Sequence, residues 1–262
     1  MTVAGESQLL LFSGPQHHQT LRLAICRNTL QKQCEKDMNY ISMWVLMIAV
    51  MVISFIIQRV LQSKMDKYSN VLNHSGRTGA EIAAKMLADN GIYDVEIGCV
   101  EGSLTDHYDP RTKVVNLSRD VYYGNSVAAA AIAAHECGHA VQHQHGYAPL
   151  KLRSALVPVV SFANMAVQWV LLAGVLLINV FPSLLWAGII LFAMTTLFSL
   201  ITLPVEINAS SRAVAWLETQ GITGSQAAMS KDALKWAAYT YVIAAIGSIA
   251  TLIYYISLGS RR

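Results

Sequence analysis

Ala133-Ala-His-Glu-Cys-Gly-His-Ala-Val-Gln-His-Gln-His-Gly-Tyr147 holds four histidines, a glutamate and a cysteine in one short stretch. Its centre, His135-Glu136-Cys137-Gly138-His139, is an H-E-x-x-H pattern inside an alanine-rich run with helical spacing. At about 100° per residue, His135 and His139 are offset by roughly 40° and about 6 Å along a helix axis. Two imidazoles so placed can share one tetrahedral zinc ion. Glu136 lies beside that face, where a carboxylate can take a proton from a water at the metal and return it to a leaving amine. His and Glu are each about 3% of the chain, so chance produces the pattern on the order of once in a hundred such chains.

A catalytic zinc takes a third protein ligand. On an unbroken helix His143 would lie about 12 Å along the axis from His135, too far for one ion to reach both. A glycine turn before a third histidine would need glycine at 142, where Gln142 stands. His143 and His145 are therefore expected to support the site or lie on the surface. Cys137 points about 160° away from His139 around the helix and is expected to be a small buried residue. The better third ligand lies downstream, in Leu203-Pro-Val-Glu206-Ile-Asn-Ala-Ser210. Carboxylates at a membrane edge are costly and tend to have partners. Without such a role, Glu206 would be a helix N-terminal acid favoured by the dipole.

The surroundings are those of a membrane. The 262 residues are 54% hydrophobic and only 13% charged, too charge-poor for an ordinary soluble domain. Several uncharged runs reach the roughly 20 residues that a helix needs to span a bilayer. The net charge of +3 is thinly spread and offers no basic tract for nucleic acid. The four cysteines, Cys26, Cys34, Cys99 and Cys137, show no C-x-x-C pairing and read as reduced thiols.

The expected organisation starts with a disordered tail or upstream extension over residues 1–37. A first transmembrane helix covers 38–61, and a polar portion carrying the metal helix covers 62–153. A membrane hairpin follows over 154–204, with Pro204 ending its second arm. Residues 205–238 form a helical segment with Glu206, 239–257 a fourth span, and 258–262 a tail. The hairpin crosses and returns, so Glu206 emerges on the side of the His135 helix. Within the polar portion, Thr78-Gly-Ala-Glu81 is a capping box for a helix ended by Asn90-Gly91. Asp94–Val100 and Lys113–Ser118 read as strands, with Asp109-Pro-Arg-Thr112 as a turn. A helix is expected from about Ser126 to His143.

The runs Leu104-Thr-Asp-His-Tyr-Asp-Pro-Arg111, Val121-Tyr-Tyr-Gly124, Ala134–Gln142, Gly146-Tyr-Ala-Pro-Leu150, Arg153-Ser-Ala-Leu-Val-Pro158, Leu203-Pro-Val-Glu206 and Ala209-Ser-Ser-Arg-Ala213 resemble those of a known family. It is the YugP-like neutral zinc metallopeptidases of the membrane, similar to HtpX-type and CAAX-protease-type gluzincins. The resemblance covers roughly residues 40–257. It implies a mainly α, polytopic membrane protein with about four transmembrane helices and a small α+β, gluzincin-like portion carrying the H-E-x-x-H helix. It implies zinc on His135, His139 and Glu206, with Glu136 as catalytic base. HtpX-type relatives carry an aspartate where Ser210 stands here, so any supporting role of that position is expected to be weaker. Gluzincins commonly hold an extended peptide against an edge strand, and Lys113–Ser118 is a candidate for this or an ordinary sheet strand. Tyr122, Tyr123, Tyr239 and Tyr241 are candidate oxyanion donors or interfacial anchors.

The implied activity is that of a zinc endopeptidase acting on protein or peptide substrates, membrane-associated ones foremost. A catalytically inactive zinc scaffold would have no use for Glu136, and a metal transporter would place its ligands within the spans. Arg59, Lys64, Lys67, Lys151, Arg153, Arg212, Lys231 and Lys235 flank the site side, whereas the hairpin loop 179–183 has no basic residue. Arg22, Arg27, Lys32, Lys36, Arg261 and Arg262 fall on the opposite side, and the balance predicts a multi-pass protein of the cell membrane with its site facing the cytoplasm.

Overall fold

Four helices of the computed structural model are long and apolar enough to cross a membrane. They are Ile41–Ser69, which is the later part of α1 (Pro15–Ser69), α5 (Ala148–Leu176), α6 (Pro182–Thr219) and α7 (Gly224–Ser260). The shortest have 29 residues, or about 43 Å of helix, against a hydrocarbon layer of about 30 Å. Large apolar side chains such as Phe55, Phe162, Met165, Trp169 and Leu176 stay exposed on them, as suits a surface solvated by lipid tails. The structure describes the backbone of residues 15–260 and the side chains of 41–260. Its contacts divide it into two units, residues 1–48 and 49–262.

The described part of the first unit is the leading stretch of α1. Residues 15–37, expected to be a disordered tail or extension, are helical there. Between Gln16 and Gln58 the chain has neither glycine nor proline, so no residue breaks the helix. The part of that expectation covering residues 1–14 lies outside the described residues.

In the second unit the polar portion is a small α+β layer. It comprises α2 (Gly79–Asp89), β1 (Glu96–Val100), β2 (His107–Asp109), β3 (Val114–Ser118), α3 (Arg119–Tyr122) and α4 (Val127–Gln144). Thr78 and Glu81 form the reciprocal capping box of α2. Ser126 caps α4, its Oγ accepting from the Ala129 N–H at 3.1 Å. The fully buried Ile82, Val115, Leu117, Ala131, Ala133 and Ala134 sit in one core that joins α2, β3 and α4. Small alanines let α4 run through the middle of that core.

The sheet order is β1-β3-β2, with β1 parallel and β2 antiparallel to β3. Of the two readings of Lys113–Ser118, a substrate-binding edge or an ordinary sheet strand, this order favours the second. β3 is the central strand, paired with β1 along Val114–Ser118 and with His107–Asp109 on its other side. The edge on the α4 side is β2, too short for alternation to announce it.

A second correction concerns Pro204. The helix expected to end there continues as α6 to Thr219. Proline removes one backbone donor, a loss that buried helices tolerate when neighbours satisfy the freed groups. Thr202 and Val205 on either side are buried, and the following turn packs on α4. The break comes later, at Gly221 and Gly224, both at positive φ. The α5–α6 hairpin is tight: a Cβ on Gly174 would stand 2.7 Å from the Leu185 Cα, so only glycine allows this crossing.

Ser126→Ala removes the α4 cap, and thermal unfolding in detergent should show a loss of about 1 kcal/mol.

Candidate metal centre

A cleft of about 250 Å³ opens where the polar layer meets the membrane helices. Asp106, His107, Tyr108 and Pro110 form one wall, and His135, Glu136 and His139 of α4 form the floor. Leu150, Arg153, Ser154 and Val157 of α5, Glu206 of α6 and Tyr241 of α7 complete it.

The geometry begins at a glycine. A Cβ on Gly138 would stand 2.7 Å from the Ala209 carbonyl oxygen, closer than any side chain permits. The α4 and α6 backbones therefore touch at Gly138 and Ala209. His135 and Glu206 each lie three residues before this crossing, and His139 lies one residue after it on α4. As a result His135 Nε2 is 3.2 Å and His139 Nε2 3.6 Å from Glu206 Oε2. One ligand atom from each residue lies within 4.8 Å of the others, and no further such His, Cys, Asp or Glu group exists among the described residues.

The histidines are held from behind. Gln142 is fully buried, and its Nε2 donates to the Val205 carbonyl at 2.8 Å and to Asn208 Oδ1 at 3.0 Å. A carbonyl can only accept, so the Gln142 amide has one permitted orientation. Its Oε1 then faces His139 Nδ1 at 3.1 Å and must accept from an N–H there. That proton fixes the tautomer and leaves the Nε2 lone pair pointing at Glu206. Ser210 Oγ lies 3.1 Å from His135 Nδ1, so a hydroxyl at this position supports that histidine.

This donor set fits zinc. Ligand atoms about 2.0–2.1 Å from a tetrahedral ion are about 3.3 Å apart, and the observed 3.2 and 3.6 Å bracket that figure. An imidazole lone pair facing a carboxylate is repulsive unless a cation lies between them. Glu206 is only 3% exposed, and among the described residues the one other cation it meets is Arg153, whose Nη1 is 3.5 Å from Oε1.

Glu136 is 8% exposed and lines the cleft. Burial pushes its carboxyl up to about 7, with Glu206 and Asp106 adding to the rise and His135 opposing it. A carboxyl so tuned can take and return a proton near neutral pH.

The remaining candidates separate. Cys137 is buried under α4, its Sγ 3.6 Å from the Ala83 carbonyl, and burial pushes the thiol up. His143 Nδ1 bonds the Tyr108 hydroxyl at 2.8 Å and His145 Nδ1 the Val141 carbonyl at 2.8 Å; neither lines the cleft. Of the four tyrosines only Tyr241 lines it, whereas Tyr108, not singled out from the sequence, forms part of its wall. Gln142 and Gly138 were also missed. Gly138 carried a signal: glycine within a helix costs about 1 kcal/mol relative to alanine, so one glycine in an alanine-rich helix marks a contact.

Helices long enough to span a membrane, a small sheet, and a cluster of His135 and His139 from an H-E-x-x-H helix with Glu206 from α6 make up the architecture of a membrane metallopeptidase. The chain belongs to the family described as "Putative neutral zinc metallopeptidase", whose profile matches residues 43–260. It is 46% identical over 214 residues to the "Putative membrane protease YugP" of Bacillus subtilis, covering 81% of this chain and 94% of that protein. No solved structure matches it. Zinc is the metal of this family, in agreement with the donor set.

Gln142→Leu leaves the Val205 carbonyl and the His139 Nδ1–H without partners. Zinc affinity, measured by competition with a chromogenic chelator, should fall about 10- to 100-fold.

Proposed function

We propose that the protein is a membrane-embedded zinc endopeptidase of the gluzincin type, holding zinc on His135, His139 and Glu206 and using Glu136 as its base. The observation that carries this reading is the convergence of those three ligand atoms beside a buried, cleft-lining glutamate. Bound zinc supplies Lewis acidity, polarising the scissile carbonyl and acidifying water. Glu136 takes the proton of the attacking water and passes it to the leaving amine nitrogen. The Gln142 amide and the Ser210 hydroxyl keep both imidazoles facing the cleft. The antiparallel edge strand β2 offers its outer side to an extended substrate, a role for which Lys113–Ser118 was one candidate.

The cleft draws residues from α5, α6 and α7 as well as from β2, so substrates are membrane proteins or their membrane-proximal segments. The basic residues at the span ends on the site side support a cytoplasmic orientation in the cell membrane.

Elemental analysis of purified protein should give one zinc per chain in the wild type and much less in Glu206→Ala. Glu136→Gln should retain its zinc while hydrolysis of an unstructured protein substrate falls on the order of 100- to 10,000-fold. Full zinc in Glu206→Ala would remove that residue from the ligand set. Unimpaired hydrolysis by Glu136→Gln would end the assignment of the base.

A further inference from the structure

The α5 face lining the cleft carries Leu150, Arg153, Ser154 and Val157, the spacing of one helix stripe. Its pattern is apolar at both ends, with a cation and a hydroxyl between. Arg153 has a single ion-pair contact, the 3.5 Å approach of Nη1 to Glu206 Oε1. A guanidinium offers five N–H donors in a planar fork, and the Arg153 side chain is 31% exposed. Glu206 carries one charge and directs its other oxygen at two imidazoles, so it cannot also satisfy this fork. Of the cleft's two other acids, Asp106 has both carboxylate oxygens accepting from Ser118, at 2.7 and 3.0 Å, and the ion pair of Arg153 is with Glu206 and not with Glu136. Arg153 is thus a partly exposed cation beside the ligand cluster, and it lines a sheltered cleft.

We propose that Arg153 recognises a carboxylate of the substrate, carried by an Asp or Glu side chain next to the bond cut or by a chain's C-terminus. The fork matches the two oxygens of a carboxylate, and such charge-assisted pairs are stronger than bonds to a neutral carbonyl. An extended peptide advances about 3.3 Å per residue, so the recognised group sits within about two residues of the scissile bond. Leu150 and Val157 on either side of Arg153 suit apolar neighbours of that group. The proposal rests on the peptidase reading above for the meaning of "substrate", but not for the binding itself.

The test uses the full chain in detergent, zinc-loaded, with Glu136→Gln as a slow-turnover background, and reads fluorescence anisotropy of labelled peptides. One peptide has an internal Glu and an amidated end, a second has Gln there and an amidated end, and a third has Gln and a free C-terminal carboxylate. The Glu peptide, the free-carboxylate peptide or both should bind roughly tenfold tighter than the amidated Gln peptide. Which one does so identifies the source of the carboxylate. Adding Arg153→Gln should abolish the difference, Arg153→Lys should keep part of it, and Arg153→Glu should favour a peptide with Lys at that place. Equal binding of all three peptides to the background protein would overturn the proposal, as would a carboxylate preference that survives Arg153→Gln. Wild-type cleavage is followed in parallel. Carboxylate-selective binding without any hydrolysis would sink the peptidase reading alone, whereas hydrolysis without selectivity would sink the Arg153 assignment alone.

Discussion

Everything at the metal centre depends on one backbone contact, where α4 and α6 meet at Gly138 and Ala209. Ligands on two helices can face one ion only if the helix axes come close, and any side chain at position 138 would hold them apart. The contact also explains why α6 cannot end at Pro204. Glu206 and Ala209 must occupy one rigid turn for the carboxylate to be aimed from the crossing, and that turn belongs to the same 38-residue helix, long and apolar enough to cross a membrane.

The second organising element is a polar relay buried behind the histidines. The Val205 carbonyl dictates the orientation of the Gln142 amide, which dictates the protonated nitrogen of His139, which in turn dictates where the lone pair points. A buried network of this kind is favourable only when every member is satisfied. Here the relay ties the tautomer of a residue on the polar side to a backbone group just past the end of the apolar run.

The features written in local chemistry were legible in the sequence. The H-E-x-x-H face, the Thr78 capping box, the Ser126 cap and the four apolar helices follow from spacing, caps and hydropathy, and each is present. Glu206 could be singled out because a carboxylate at the edge of an apolar run is costly. What was not legible is set by tertiary contact. Strand β2 has three residues, too few for a periodic signal, and exists because β3 pairs with it. The continuation of α6 through Pro204 overrides a local helix breaker because the next turns are packed on α4. Gln142 was noticed only as the absence of a glycine; its part in the site depends on a carbonyl 63 positions away.

The order of the ligands along the chain sets an order of events. His135 and His139 precede α5, whereas Glu206 is reached only after the chain has passed through α5, turned at 177–181 and come back along α6. A chain folded only as far as α5 holds His135 and His139 but not Glu206, so it lacks the third member of the cluster. The cluster is therefore complete only once α6 has packed back against α4. What the two halves of the chain hold separately becomes one cluster only where the returning helix lies against α4.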